Sequence, residues 1–252
     1  MTPAADAPFD DVAASYDETF GRSPAGRLFR FRLAERIAEA VPRGSSLLDI
    51  GAGTGEDALW LSSQGFQVSG IDASGGMVDR TRAKISRTRH PVNFQHADLL
   101  SFSSLTSFDA VYSNLGAMNC IPLADWARAL SPLVRRRGRA FLVLMGRRPL
   151  PEFVRDGQAA WRRRQESMVR IGSGSIAVHY PSVGAIANAL RNDFRVERTE
   201  TFGIIVPPST MDQWPRRHSI AFGLCASIEK IVARRRMLCG FSDHFLVELS
   251  RR

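Results

Sequence analysis

Leu47-Leu48-Asp49-Ile50-Gly51-Ala52-Gly53-Thr54-Gly55-Glu56-Asp57 decides how the rest of the chain is read. Leu47 to Ile50 reads as a short buried strand, and a helix from about Gly55 runs to the break at Gly65. Glycines between a strand and a helix let the backbone turn sharply and let a ligand come up against the main chain. The free N–H groups at the helix start favour negative charge. A P-loop is excluded, because the Gly-Lys-Ser/Thr ending is absent. A dinucleotide loop of the G-x-G-x-x-G kind wants its third glycine where this chain has Glu56, followed by Asp57. Two acids at the helix mouth would repel a pyrophosphate and are harmless to a ligand without phosphate, which argues against NAD.

Working outward, the chain alternates in period. Ser23-Pro24 reads as an N-cap with proline at the first helical position, and Phe29, Leu33, Ile37 and Val41 then share one helical face until Pro42-Arg43-Gly44. After the glycine loop, Phe66 to Ile71 reads as a strand, followed by a helix capped by Ser74. Val92 to His96, Phe108 to Ser113 and Arg139 to Met145 give three more strands, with a helix around Asp125 to Val134 before the last. Strands separated by helices imply βαβ units and a doubly wound α/β fold with a mostly parallel sheet. Beyond residue 146 the pattern loosens. Glu166 to Ile171 and Ser175 to Tyr180 read as a hairpin about Gly172-Ser173-Gly174, Ser182 caps a helix to Leu190, Phe194 to Thr201 is a strand, and Asp243 to Ser250 closes the chain as another.

At these residues the chain resembles the class I S-adenosylmethionine (SAM)-dependent methyltransferases of small-molecule type. Asp49-Ile50-Gly51-Ala52-Gly53-Thr54-Gly55 is similar to their D/E-x-G-x-G-x-G signature, and Asp72-Ala73-Ser74-Gly75-Gly76-Met77 to their D-x-S-x-x-M. The resemblance implies a Rossmann-like sheet of seven strands, mostly parallel with the last antiparallel, carrying lid insertions, and SAM as cofactor. It implies that Gly51 and Gly53 bring bare backbone to the cofactor and that Asp49 steadies the loop or the methionyl amine. Asp72 would take both ribose hydroxyls, a task that suits two acceptor oxygens. Met77 would lie against the adenine, Asp98 would accept from its amino group and Leu99 would cover the ring. The segment around Tyr16 would fold over the cofactor, and Asn114, after the fourth strand, would face the sulfonium and acceptor. The expected layout is a single domain, 1–252, with N-terminal lid helices in 1–45, a SAM-binding core in 46–146, and acceptor-side additions in 147–181 and 203–240.

The chemistry then needs an acceptor held in line with the S–CH3 bond, and a hydroxyl acceptor gains from a general base. His179 and Tyr180, at the end of the hairpin, are the expected catalytic pair, with His244 behind them; His96 reads as structural. No metal-ligand spacing is visible, so no metal is expected. An aminopropyl transferase would want an acidic polyamine site after the fourth strand, and none is seen. A non-catalytic SAM-binding protein stays open.

Composition bounds the partners. The 252 residues carry a net charge of +9, nearly all from arginine, since Lys84 and Lys230 are the only lysines. Such a balance invites an anionic partner. Base methyltransferases of RNA and DNA often carry N/D-P-P-Y/F after the fourth strand; Ser113-Asn114-Leu115-Gly116 lacks the prolines and the aromatic, which disfavours nucleic acid. Ile220, Leu224, Ile228 and Ile231 mark one face of a later helix flanked by Arg216, Arg217, Lys230 and Arg234-Arg235-Arg236. Such a helix either packs on the domain or lies on an anionic membrane, which would suit a lipophilic acceptor. Three cysteines in no paired spacing and no signal-like start make cytoplasm the expected compartment. Oligomeric state is left open.

Overall fold

The computed structural model describes residues 8–18, 23–88, 92–158, 168–207 and 213–252. Its centre is a seven-stranded sheet made of β1 (Ser46–Ile50), β2 (Gln67–Asp72), β3 (Val92–His96), β4 (Phe108–Ser113), β5 (Val134–Met145), β8 (Phe194–Phe202) and β9 (His244–Arg251), in the order β3-β2-β1-β4-β5-β9-β8. The first five are parallel, and β9 runs antiparallel to both β5 and β8. Strand order reverses at β1 and β4, where a doubly wound sheet opens its binding crevice.

Strand residues alternate between two covered faces. Leu47, Ala110, Tyr112, Phe141, Val143 and Leu246 pack with Phe29, Leu33 and Ile37 of helix α1 (Pro24–Ala40) and with Ala58 and Leu61 of α2 (Glu56–Ser63). Leu48, Val111, Leu142, Leu144 and Val247 face the other way, against Trp126 and Leu130 of α4 (Trp126–Leu130) and Ile186 of α6 (Val183–Ala189). Burial on both faces is what a parallel sheet requires, and it explains why these strands read as short apolar runs. α3 (Gly75–Ile85) follows β2, with Ser74 Oγ accepting from Met77 N–H at 3.1 Å. α5 (Leu150–Asp156) follows β5.

Three expectations shift. The helix before β5 ends at Leu130, and β5 starts at Val134 rather than Arg139. The arginines between bulge out of the ladder, as pairing jumps from Phe108↔Val134 to Ala110↔Arg139 with Arg137 at φ +62°. The hairpin is β6 (Met168–Ile171) and β7 (Gly174–Ala177), its second strand stopping short of His179; Glu166 lies outside the described residues. α1, expected among lid helices, packs into the core through Ala25, Phe29, Leu33 and Ile37. Among the described residues before α1, 8–18 lie against the glycine loop.

Phe29 ties α1 to the far side of the sheet, with its ring 5.7 Å from Phe202 and 5.5 Å from His244. Phe29→Ala is expected to cost about 3–5 kcal/mol in urea unfolding. Phe31→Ala, on the same helix but 52% exposed, should change stability by less than about 0.5 kcal/mol.

Candidate active site

The turn from β1 into α2 passes through glycines in the left-handed region, Gly51 at φ +68° and Gly53 at +55°. A Cβ on Gly51 would lie 2.3 Å from that of Ala117, so Gly51 is needed for both conformation and space. A Cβ on Gly53 would meet nothing nearer than the Tyr16 ring at 4.0 Å, which leaves an open face of bare backbone. Asp72, at the end of β2, holds this loop: one carboxylate oxygen accepts from Gly53 N–H at 2.7 Å, the other from Ser74 N–H at 2.8 Å. Each oxygen keeps a further lone pair. Burial raises the Asp72 pKa, and these two backbone donors pull against it.

Behind the loop sits a buried polar group that the sequence only half disclosed. Register pairs Asp49 of β1 with Tyr112 of β4. The Asp49 side chain is almost fully buried, and neither its Oδ2 nor the Tyr112 hydroxyl reaches a partner in hydrogen-bond geometry. Burial pushes the Asp49 carboxyl well above the usual carboxylate range, and neighbouring Asp57 adds to the rise, with Tyr112 and Arg30 opposing it. Asp57 is itself held, taking Arg30 Nη1 at 2.6 Å and Asn114 Nδ2 at 3.0 Å on one oxygen. Burial opposes the Arg30 charge, but Asp57, Tyr16 and Glu56 together outweigh it and raise the Arg30 pKa. Glu56 meets Lys84 at 2.5 Å. Both acids at the helix mouth therefore carry a cation partner, so the repulsion read from their sequence is largely cancelled.

The segment 8–18 lies across the loop. Asp10 Oδ1 accepts from Gly76 N–H at 2.8 Å, Asp17 takes Thr54 and, at 2.6 Å, Lys84, and Asp11 accepts from Ser173 N–H of the hairpin turn at 2.9 Å. Tyr16 is thereby set over Gly53, and burial raises its pKa. Past β2, Met77 and Leu99 are buried, while Asp98 is exposed with one oxygen on Leu100 N–H at 2.8 Å. Asn114 does not face outward. Its amide bonds Asp57, and its oxygen accepts from Leu115 N–H at 2.8 Å.

At the ends of β4 and β5, Asn119 makes a clasp that sequence reasoning missed. It accepts from His179 N–H on its carbonyl (2.7 Å), donates Nδ2 to the His179 carbonyl (2.6 Å), and takes Met145 N–H on Oδ1 (2.9 Å). His179 and Tyr180, both half-buried, are thus fixed beside the strand ends. Cys120 is close by, its thiol pushed up to about 11 by burial. His244 is buried against Asp243 and Phe29, with its backbone in register with Met145. His96 bonds the Ala73 carbonyl (3.0 Å), a strap between β3 and the start of α3.

The sheet order and the glycine crevice define a nucleoside-cofactor fold of the Rossmann-like class, and the donor set sorts within it. Orphaned Asp49 Oδ2 suits a cation, the paired oxygens of Asp72 suit a diol, and the open face of Gly53 suits close approach; these fit SAM. The family model for a methyltransferase domain matches residues 47–136. Demethylmenaquinone methyltransferase of Clavibacter sepedonicus is 29% identical over 173 residues, 68% of this chain and 70% of that one. That of Renibacterium salmoninarum is 37% identical over 131 residues, about half of each chain (50% and 51%). For the fold alone, phosphoethanolamine N-methyltransferase 2 of Haemonchus contortus in complex with SAM superposes with TM-score 0.62 at 18% identity, over 96% of this chain and 56% of that one. Residues 47–136 thus match a methyltransferase domain, and the chain is similar to methyltransferases in sequence and in fold.

Asp49 sets a stability test. Its folded pKa lies above the ordinary 3.8, so the folded state holds the proton more tightly than the unfolded one. Stability is then highest below 3.8 as far as this group is concerned and falls as pH rises through the raised value. Asp49→Asn should raise the thermal midpoint of the cofactor-free protein at pH 7 and flatten that fall; a lower midpoint at pH 7 would contradict this account.

Proposed function

We propose that this chain transfers the methyl group of SAM to a small organic acceptor with an apolar body, bound where β4 and β5 end. The supporting observation for the cofactor half is the unpartnered, buried Asp49 oxygen behind the open face of Gly53. When bound, SAM supplies a methyl group already activated on a sulfonium. Every other duty falls to the chain.

Asp49 would take the amino group of the methionyl tail, which both satisfies its orphaned oxygen and stabilises its charged form. Gly51 and Gly53 would let that tail approach the main chain. Asp72 would accept from the ribose hydroxyls with the lone pairs its two backbone donors leave. Met77 and Leu99 would bound the adenine pocket, with Asp98 accepting from its amino group. Tyr16, carried on the segment pinned by Asp10, Asp11 and Asp17, would exclude water. Asn114, its side chain spent on Asp57 and Leu115, would act on the cofactor only by positioning Asp57 behind the loop.

For the acceptor, the supporting observation is the clasp between Asn119 and His179. It fixes the main chain of His179, and with it the neighbouring Tyr180, beside the ends of β4 and β5 near Met145 and Cys120. His179 would take the proton from an acceptor hydroxyl or an acidic carbon, and Tyr180 would orient it. Two relatives act on demethylmenaquinone by name, which supports a small acceptor with an apolar portion.

Purified protein incubated with methyl-labelled SAM and cell extract should label an organic-extractable small molecule; label entering only nucleic acid, or nothing, would overturn the reading. Asp72→Ala should weaken SAM binding in calorimetry by about 1–3 kcal/mol, the loss expected for charge-assisted hydrogen bonds; unchanged affinity would remove the ribose assignment. His179→Ala should lower kcat by roughly 10²- to 10⁴-fold with SAM affinity unchanged, and an unaltered kcat would remove it as the base.

A further inference from the structure

The longest helix among the described residues of the second half turns apolar side chains to solvent. In α8 (Ser219–Val232), which follows α7 (Gln213–Arg217), Ile220 is 82% exposed, Leu224 62%, Ile228 48% and Ile231 77%. At about 100° per residue these four fall within about 80° of arc, and Glu229 stands about 180° from Ile220. The opposite side is the one that packs. Phe222, Cys225 and Ala226 meet the core, and Glu229, 1% exposed, accepts from the backbone N–H groups of Ile204 (3.0 Å), Ile205 (2.8 Å) and Val206 (3.2 Å). The orientation of α8 is therefore set by a buried carboxylate on three amides, and the outward stripe is a consequence of it.

The stripe continues into the 3-10 turn Arg236–Phe241, where Met237 is 89% and Phe241 41% exposed. Its charge is one-sided. From residue 213 to 242 the sequence has six cations and a single acid, Glu229, which is buried. Arg217, Lys230, Arg234, Arg235 and Arg236 are exposed around the apolar side chains; the side chain of Arg216 lies outside the described residues. The surface also sits at the functional edge of the sheet. Register aligns Phe202 of β8 with His244 of β9, and His244 with Met145 of β5, so the chain leaving β8 toward α8 departs from the edge where Asn119 clasps His179.

We propose that α8 and the turn after it form a docking surface for an anionic lipid bilayer. An apolar stripe bordered by cations matches a layer whose headgroups are negative and whose interior is hydrocarbon. A soluble protein partner would ordinarily be met by a mixed-charge rim, and a second copy would set five exposed cations against five. No helix of the described residues is long and apolar enough to cross a membrane, so the contact is one of lying on the surface. Docked this way, the edge carrying His179 sits near the layer in which an apolar acceptor dissolves. The docking claim stands on its own, since binding is read without SAM or acceptor.

The test is co-sedimentation of the full chain with vesicles of phosphatidylcholine containing 30% phosphatidylglycerol, against vesicles of phosphatidylcholine alone. We expect the anionic vesicles to retain the protein at least tenfold better at low salt, with the advantage largely lost in 0.5 M NaCl. The double variant Leu224→Glu/Ile228→Glu should lose retention at least tenfold, and the triple variant Arg234→Ala/Arg235→Ala/Arg236→Ala should lose the preference for anionic lipid. Unchanged SAM affinity in both variants establishes that they fold. Absence of sedimentation at low salt, equal binding to both vesicles, or unaltered binding by both variants would overturn the proposal. So would analytical ultracentrifugation that finds a dimer abolished by Leu224→Glu/Ile228→Glu, which would make the stripe an interface between copies.

Discussion

The site depends on a backbone reversal stretched between two carboxylates. Asp72 takes the Gly53 N–H from the front, at the end of β2, and Asp49 lies behind, at the end of β1. Between them Gly51 adopts a left-handed conformation with no room for a side chain beside Ala117. Any residue with a Cβ at Gly51 would have to displace the turn that follows β4 as well as distort its own dihedral, so the loop, the crevice and the β4 edge are one mechanical unit. The cost of that unit is visible in Asp49, a carboxyl pushed well above the usual carboxylate range by its burial and by neighbouring Asp57.

Support for this unit comes from far along the chain. Arg30 of α1 neutralises Asp57, 27 residues away, and Asn114 bonds the same oxygen from 57 residues away. Without Arg30, Asp57 would add its full charge to a region that already raises Asp49. The ends of β4 and β5 are organised by the same kind of contact, as Asn119 holds the backbone of His179 across 60 residues of sequence. The hairpin before His179 is in turn tied to Asp11 at its glycine turn, so one short segment, 8–18, touches both the glycine loop and the hairpin.

Much of the fold was legible because it rests on local rules. The alternation of short apolar runs with 3.6-period stretches gave each of the first five strands, and Ser74 gave the start of α3 through a contact three residues long. The loop, Asp72 and Met77 were legible as an ordered motif. What could not be read were pairings set by tertiary register. Asp57 looked like a free acid because its partner sits on another helix, and Asn114 looked available because its bond to Asp57 leaves no trace in local pattern. The arginine bulge at the start of β5 fell between the expected helix, ending at Val134, and the expected strand, starting at Arg139, since Arg135 to Arg137 carry no apolar alternation and only the ladder to β4 reveals that the strand begins at Val134.

α8 carries the general lesson furthest. Four large apolar residues at helical spacing ordinarily mark the face toward the core, and hydrophobicity alone would have rotated this helix by half a turn. The residue that decides otherwise is Glu229. Three chain N–H groups at 204–206 need acceptors in a buried place, and leaving them unmet would cost more than exposing isoleucine, since each unsatisfied buried donor forfeits about 1–3 kcal/mol. A carboxylate that meets all three fixes the helix azimuth, and Phe222, Cys225 and Ala226 then suffice to fill the contact. The apolar stripe is left outward by a polar constraint rather than by a shortage of core, which is why it persists beside a ring of cations instead of being absorbed into the domain.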